Sequence, residues 1–115
     1  MTGSPQPSKS ELPGAEPSRL LDIVGYQEGA VVSRTLVKRT TGTITLFAFD
    51  EDQGLSEHTA AFDALAQLLE GEAEITVEGH PLRVRGGEVV LLPAHQPHSL
   101  KAITRFKMLL TMIRS

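Results

Sequence analysis

The chain has 115 residues, with 40% hydrophobic and 22% charged residues, 14 acidic against 11 basic and a net charge of -3. That is an ordinary composition for one globular domain, and its acidic balance makes no electrostatic case for nucleic acid or an anionic membrane. Cysteine and tryptophan are absent and aromatics are 4%, which excludes a disulfide framework, thiolate chemistry and a stacking platform for single strands.

Residues 1–18, MTGSPQPSKSELPGAEPS, hold four prolines, four serines and two glycines and read as a solvated or draped arm before a domain at 19–115. This start lacks the apolar core of a signal peptide, so the expected location is cytoplasmic. No apolar run approaches the ~20 residues of a membrane span. From Arg19 the pattern changes. Leu20 to Tyr26 is apolar and reads as a short strand, and Gln27-Glu28-Gly29 as a turn. Ala30 to Lys38 and Thr43 to Phe49 read as strands around the turn at Thr40-Thr41-Gly42, being rich in β-branched and apolar residues. Asp50 to Gly54 is a polar loop, and Glu57 to Ala61 a short strand carrying His58.

Ala64 to Leu69 has good helix formers, but it stops at Glu70-Gly71 and resumes as the alternating run Glu72 to Val77. Two runs joined by a glycine turn read as a hairpin. Leu82 to Arg85 alternates as a half-exposed strand, and Val89 to Leu92 is apolar on both faces, which predicts a central strand. Ser99 to Ile103 and Phe106 to Ile113 complete the set. The last is apolar on both faces too, which predicts burial between two sheets or in a homodimer interface. Many short strands with turns between them and no long helix imply an all-β sandwich or barrel, in which closure removes sticky edges.

One run organises the rest: Gly87 to Leu100, GEVVLLPAHQPHSL. Gly87, Pro93 and His98 stand at the spacing of the second motif of the cupin superfamily, which the chain resembles in its small single-domain, RmlC-like form. His95 stands where that motif has Gly, and Ala102 where it has Asn. In the first motif His58 matches the first His and Gly71 the closing Gly. Ala60 replaces the second His, Ala64 the Glu, and Asp52 the leading Gly. The resemblance covers residues 30 to 112 and implies a double-stranded β-helix (jelly-roll) barrel.

A complete member of that family holds a divalent metal such as Fe, Mn, Ni or Zn inside the barrel. Here only His58 and His98 remain at ligand positions, with Gln67 and Asp63 as candidate third ligands. Strict alternation from position 64 points Gln67 away from the barrel, and a bulge near Phe62-Asp63 would reverse it. The preferred reading is a polar pocket lined by His58, His98, Gln67 and, at the rim, His95. Asp63 reads as a strand-start residue that could orient His58, and His80 as a solvent-facing turn residue. The pairs Arg83/Arg85 and Arg105/Lys107 read as solvated faces. Met108 and Met112 read as core filler.

Three functions from different classes remain. The first is a protein that binds a small molecule beside an incomplete metal site. The second is a metal-dependent isomerase or dioxygenase using His58 and His98. The third is a structural or regulatory dimer with a vestigial pocket.

Overall fold

The computed structural model describes residues 11–114. Nine strands follow a single turn of 3-10 helix at Leu20–Asp22: β1 (Val31–Arg39), β2 (Gly42–Phe49), β3 (Gly54–His58), β4 (Asp63–Glu70), β5 (Glu72–Val77), β6 (His80–Arg85), β7 (Val89–Leu92), β8 (His98–Ala102) and β9 (Phe106–Ile113). They form a five-stranded sheet in the order β1-β2-β9-β4-β7 and a four-stranded sheet in the order β3-β8-β5-β6. Every paired neighbour is antiparallel. This is the expected double-stranded β-helix. No helix among the described residues is long and apolar enough to cross a membrane.

The period-two pattern divides the apolar residues between two cores. Inward-facing Phe49, Ala66, Leu68, Ile75, Leu100 and Met108 fill the space between the sheets. Phe49 and Phe106 stack there at 4.3 Å between ring centres. Each fully buried ring stabilises the fold by about 1.5–3 kcal/mol through the area it removes from water. Leu36, Leu46 and Ala48 face the other way, on the outer side of the five-stranded sheet, and Val24 joins them. Leu12, Leu20, Ile23 and Tyr26 pack against this second cluster.

Those contacts correct the expected first strand. Leu20 to Tyr26 is not a strand; Leu20–Asp22 is a 3-10 turn whose neighbours lie across the sheet rather than along its edge. Residues 1–10 of the expected 1–18 arm lie outside the described residues; in the part that follows, Leu12 donates its N–H to the Leu36 carbonyl. The N-terminal segment is pinned by one aromatic. The Tyr26 hydroxyl donates to Glu70 at 2.6 Å, and its ring lies under Arg105 and Lys107. Arg105 also bonds Asp50 at 2.7 Å, while the buried Lys107 donates to the Leu21 carbonyl. Lys107 is therefore a buried fastener for the segment and not part of a solvated face, while Arg105 stays more than half exposed above the Tyr26 ring. Arg83 and Arg85 do lie on the surface, where both meet Glu72.

The central strand is β9, between β2 and β4; β7 is an edge strand. Val90 and Leu92 of β7 face the core, while Val89 and Leu91 face out, 53% and 56% exposed. A strand apolar on both faces can be an edge when its outer face lies bare. The two faces of β9 are filled differently. Met108 belongs to the inner core, and Leu109 packs against the outer one under the N-terminal segment.

Strand register brings one set of ends together as the mouth of the barrel. His58 pairs with His98, Val77 with His98, Ala64 with Leu92 and Met112, and Gly42 with Ile113. The β7–β8 loop closes this end. The Asp63 carboxylate accepts the Ala94 N–H at 2.8 Å, and the His95 N–H donates to the Ala60 carbonyl at 2.7 Å.

Candidate functional site

His58 ends β3 and His98 opens β8, and the two are directly cross-strand partners. Directly opposed residues on neighbouring strands share a face, so the imidazoles meet. Their ring centres are 4.4 Å apart, edge to face at 66°. A register irregularity between Leu55 and His58 sets this pairing, and β3 ends there, short of the expected Ala61. His98 is 6% exposed and lies on the inner face with Leu100 and Ala102, whereas His58 stands open to solvent. The pair spans the boundary between interior and water.

Both rings are fixed in the same way. His58 Nδ1 lies 2.9 Å from the Ser56 carbonyl oxygen, and His98 Nδ1 lies 3.1 Å from that of Gln96. A carbonyl only accepts, so each Nδ1 carries the proton and donates it. A neutral ring held this way keeps Nε2 as its acceptor. Such a pair can hold a hydroxyl, an amine or an acid.

The other predicted residues fall differently. Gln67 is not in the site. Ala64, Ala66 and Leu68 belong to the inner core while Leu69 packs in the outer one, so Gln67 points out of the barrel between Leu65 and Leu69. The irregularity in β4 lies between Leu68 and Glu70, beyond Gln67, and so does not turn it inward. Asp63 does not orient His58, whose Nδ1 is held by Ser56; its carboxylate anchors the β7–β8 loop instead. His95 stands exposed in that loop with φ at +67°, and His80 is exposed at the start of β6.

The residues present do not fit the metal that the resemblance implies. Ala64 is 4% exposed within the apolar core, at the position where the resemblance puts a carboxylate ligand, and Ala60 brings no nitrogen. Among the described residues no group of three or more His, Cys, Asp or Glu could hold a metal ion. His58, His98 and Gln67 do not form a ligand set, because Gln67 is on the far face of its strand. Two imidazoles fall short of the three protein ligands usual for a catalytic site.

Residues 46–113 match the family model for the cupin domain. The chain belongs to the cupin family. This cupin is 35% identical to a conserved protein of unknown function from Streptococcus pyogenes, with a TM-score of 0.86 over 90% of this chain and 91% of that one. It is 31% identical to a cupin superfamily protein from Desulfitobacterium hafniense, with a TM-score of 0.85 over 90% of this chain and 95% of the other. A cupin 2 conserved barrel domain protein from Leptotrichia buccalis is 38% identical over 82% of this chain and 46% of that one, at a TM-score of 0.80. No curated protein matches.

The cupin backbone persists where its residue types have changed. Gly71 and Gly87, at the motif positions, have φ of +85° and +92°. Asp52 and His95, which replace glycines of the two motifs, both have φ of +67°. Asp and His are among the few side chains that enter this left-handed region at modest cost. The turns that aim the site strands are kept, while the ligands at positions 60 and 64 are not.

Proposed function

We propose that this cupin binds a small polar molecule at the barrel mouth, held by His58 and His98 without a resident metal. The observation that carries this reading is the matched pair of Nδ1–H to carbonyl bonds beside a 4.4 Å ring contact. It leaves an Nε2 acceptor on each of two fixed rings, one buried and one exposed. Ala64, Leu92 and the half-buried Met112 lie together at this end of the five-stranded sheet, so the ligand suited to it has an apolar part and a hydroxyl or acidic head.

The test is a thermal-shift screen of the full chain, prepared without an affinity tag, against a metabolite library. A ligand at a hundred times its Kd stabilises by about 2.7 kcal/mol, a readily visible rise in Tm. We expect a hit whose shift disappears in His98→Ala and in His58→Ala, with less than stoichiometric metal in the wild-type protein. Hits indifferent to both substitutions would overturn the reading. Stoichiometric metal lost in both variants would replace it with a metal-dependent enzyme.

The partner we propose for the outer face is a second copy of the chain. The N-terminal segment covers the side of this face formed by β1, β2 and part of β9. Leu65 pairs with the bare Leu91 and Gln67 with the bare Val89 on the side left open. Ile113, 59% exposed, ends the adjacent strand. A contiguous apolar patch of this kind marks an association surface.

A further inference from the structure

We propose that the cleft between the tip of the β1–β2 hairpin and the end of β9 is a binding site for a phosphoryl-bearing small molecule. It has a volume of about 670 Å³ and is lined by Lys38, Arg39, Thr40, Thr41 and Arg114. Three cations and two hydroxyls line it, and the carboxylate that meets them, Glu11, pairs with Arg39, in a chain whose net charge is -3. Positive charge gathered in one concavity against an acidic average focuses a local field that attracts anions.

Of the three cations here, Arg39 pairs with Glu11 at 3.2 Å, and Lys38 and Arg114 are placed differently. Arg83, Arg85 and Arg105 each have a carboxylate partner. Lys38 and Arg114 have none among the described residues. The Arg114 guanidinium lies 5.3 Å above the Phe62 ring, and its backbone N–H is tied to the Thr41 carbonyl at 2.9 Å. That fixes the orientation of the cation without satisfying its hydrogen-bond donors. Arg39 uses Nη1 for Glu11 and for the Lys38 carbonyl, which leaves Nε and Nη2 to donate. Glu11 also accepts the Lys38 N–H at 2.7 Å and so braces the strand beneath the cleft.

Arginine presents a planar fork of donors that matches the oxygens of a phosphate. The Arg114 fork, the donors of Arg39 that Glu11 leaves, an ammonium and two threonine hydroxyls line the same cleft. A phosphoryl group, with two negative charges and oxygens on all sides, uses that arrangement better than a flat carboxylate does. The cleft opens at the same end of the barrel as His58 and His98, but nothing in its lining depends on them.

Inorganic pyrophosphate, titrated into the full chain at constant ionic strength and followed by amide chemical shifts, tests the site. Saturable shifts centred on Thr40, Thr41 and Arg114 are expected. Removing one charge-assisted contact weakens binding about tenfold, the effect expected in Lys38→Ala and in Arg114→Ala. Citrate, a tricarboxylate, should bind more weakly than pyrophosphate. Shifts that drift without saturation, that persist in both variants, or that citrate reproduces at equal affinity would overturn the proposal. His98→Ala should leave the pyrophosphate shifts unchanged, so failure of the histidine-pair reading and failure of this one are read separately.

Discussion

Gly71 and Gly87 share a left-handed backbone, yet the space around them differs. A Cβ on Gly71 would overlap the Arg105 carbonyl and the backbone of Phe106, whereas a Cβ on Gly87 meets nothing within 4 Å. Gly71→Ala therefore combines conformational strain with a clash against the chain that starts β9, and should cost about 3 kcal/mol or more. Gly87→Ala carries the strain alone, about 1 kcal/mol. His95→Gly removes that strain while loosening the unfolded chain, so stability should stay level or rise by up to about 1 kcal/mol. Urea unfolding of the three variants measures the differences. Equal losses for Gly71→Ala and Gly87→Ala would show that the clash relaxes away and only the backbone angle matters.

At the scale of elements, the N-terminal segment is held on the barrel by Tyr26, and that hold can be followed directly. Tyr26 is the chain's one tyrosine and there is no tryptophan, so phenolate absorbance reports on this group alone. Burial pushes its hydroxyl above its ordinary 10.0, and the hydrogen bond to Glu70 and that residue's charge push further, against a smaller opposing pull from Arg105. A raised folded value means the neutral phenol stabilises the fold. That contribution is complete below about pH 10 and is lost as pH climbs through the folded value. An alkaline titration should show phenolate appearing above pH 10, and Glu70→Gln should bring the midpoint down. A midpoint unmoved by that substitution would mean that Glu70 does not hold the ring.

This clasp is not legible in the sequence, because strand spacing alone makes Arg105 and Lys107 resemble any exposed basic pair. What turns Lys107 into a fastener is a segment far earlier in the chain. For the same reason local pattern misplaces β7. VVLL reads as buried on both faces, and only the sheet order shows its outer face bare. The local features are legible. Alternation in TITLFAF and EAEITV, and the glycine turns between runs, set the strands and the fold class. The pairing of His58 with His98 follows from the cupin resemblance, and the outward direction of Gln67 follows from alternation alone. The basic cleft is not legible, because Lys38 and Arg114 meet only through the pairing of β2 with β9.

For the whole molecule, the question is what the open half of the outer sheet face meets. β7 is short, at the edge, and its exposed Val89 and Leu91 are the kind of residues that edges usually exclude. The neighbouring outward residues are Leu65, Gln67 and Thr111, all half-buried and none charged. The same face of a second copy supplies a matching apolar patch, and a two-fold arrangement places each patch against its own equivalent. Leu91→Glu sets two carboxylates into such an interface, one from each copy, without touching the core, since the inward row of β7 consists of Val90 and Leu92. Sedimentation velocity over a concentration series should find a dimer in the wild-type chain and a monomer in Leu91→Glu at unchanged circular dichroism. A monomer in both, at concentrations up to hundreds of micromolar, would remove the second copy from this face. The pyrophosphate titration of Leu91→Glu should match that of the wild type, because the cleft at the hairpin tip is complete within one chain.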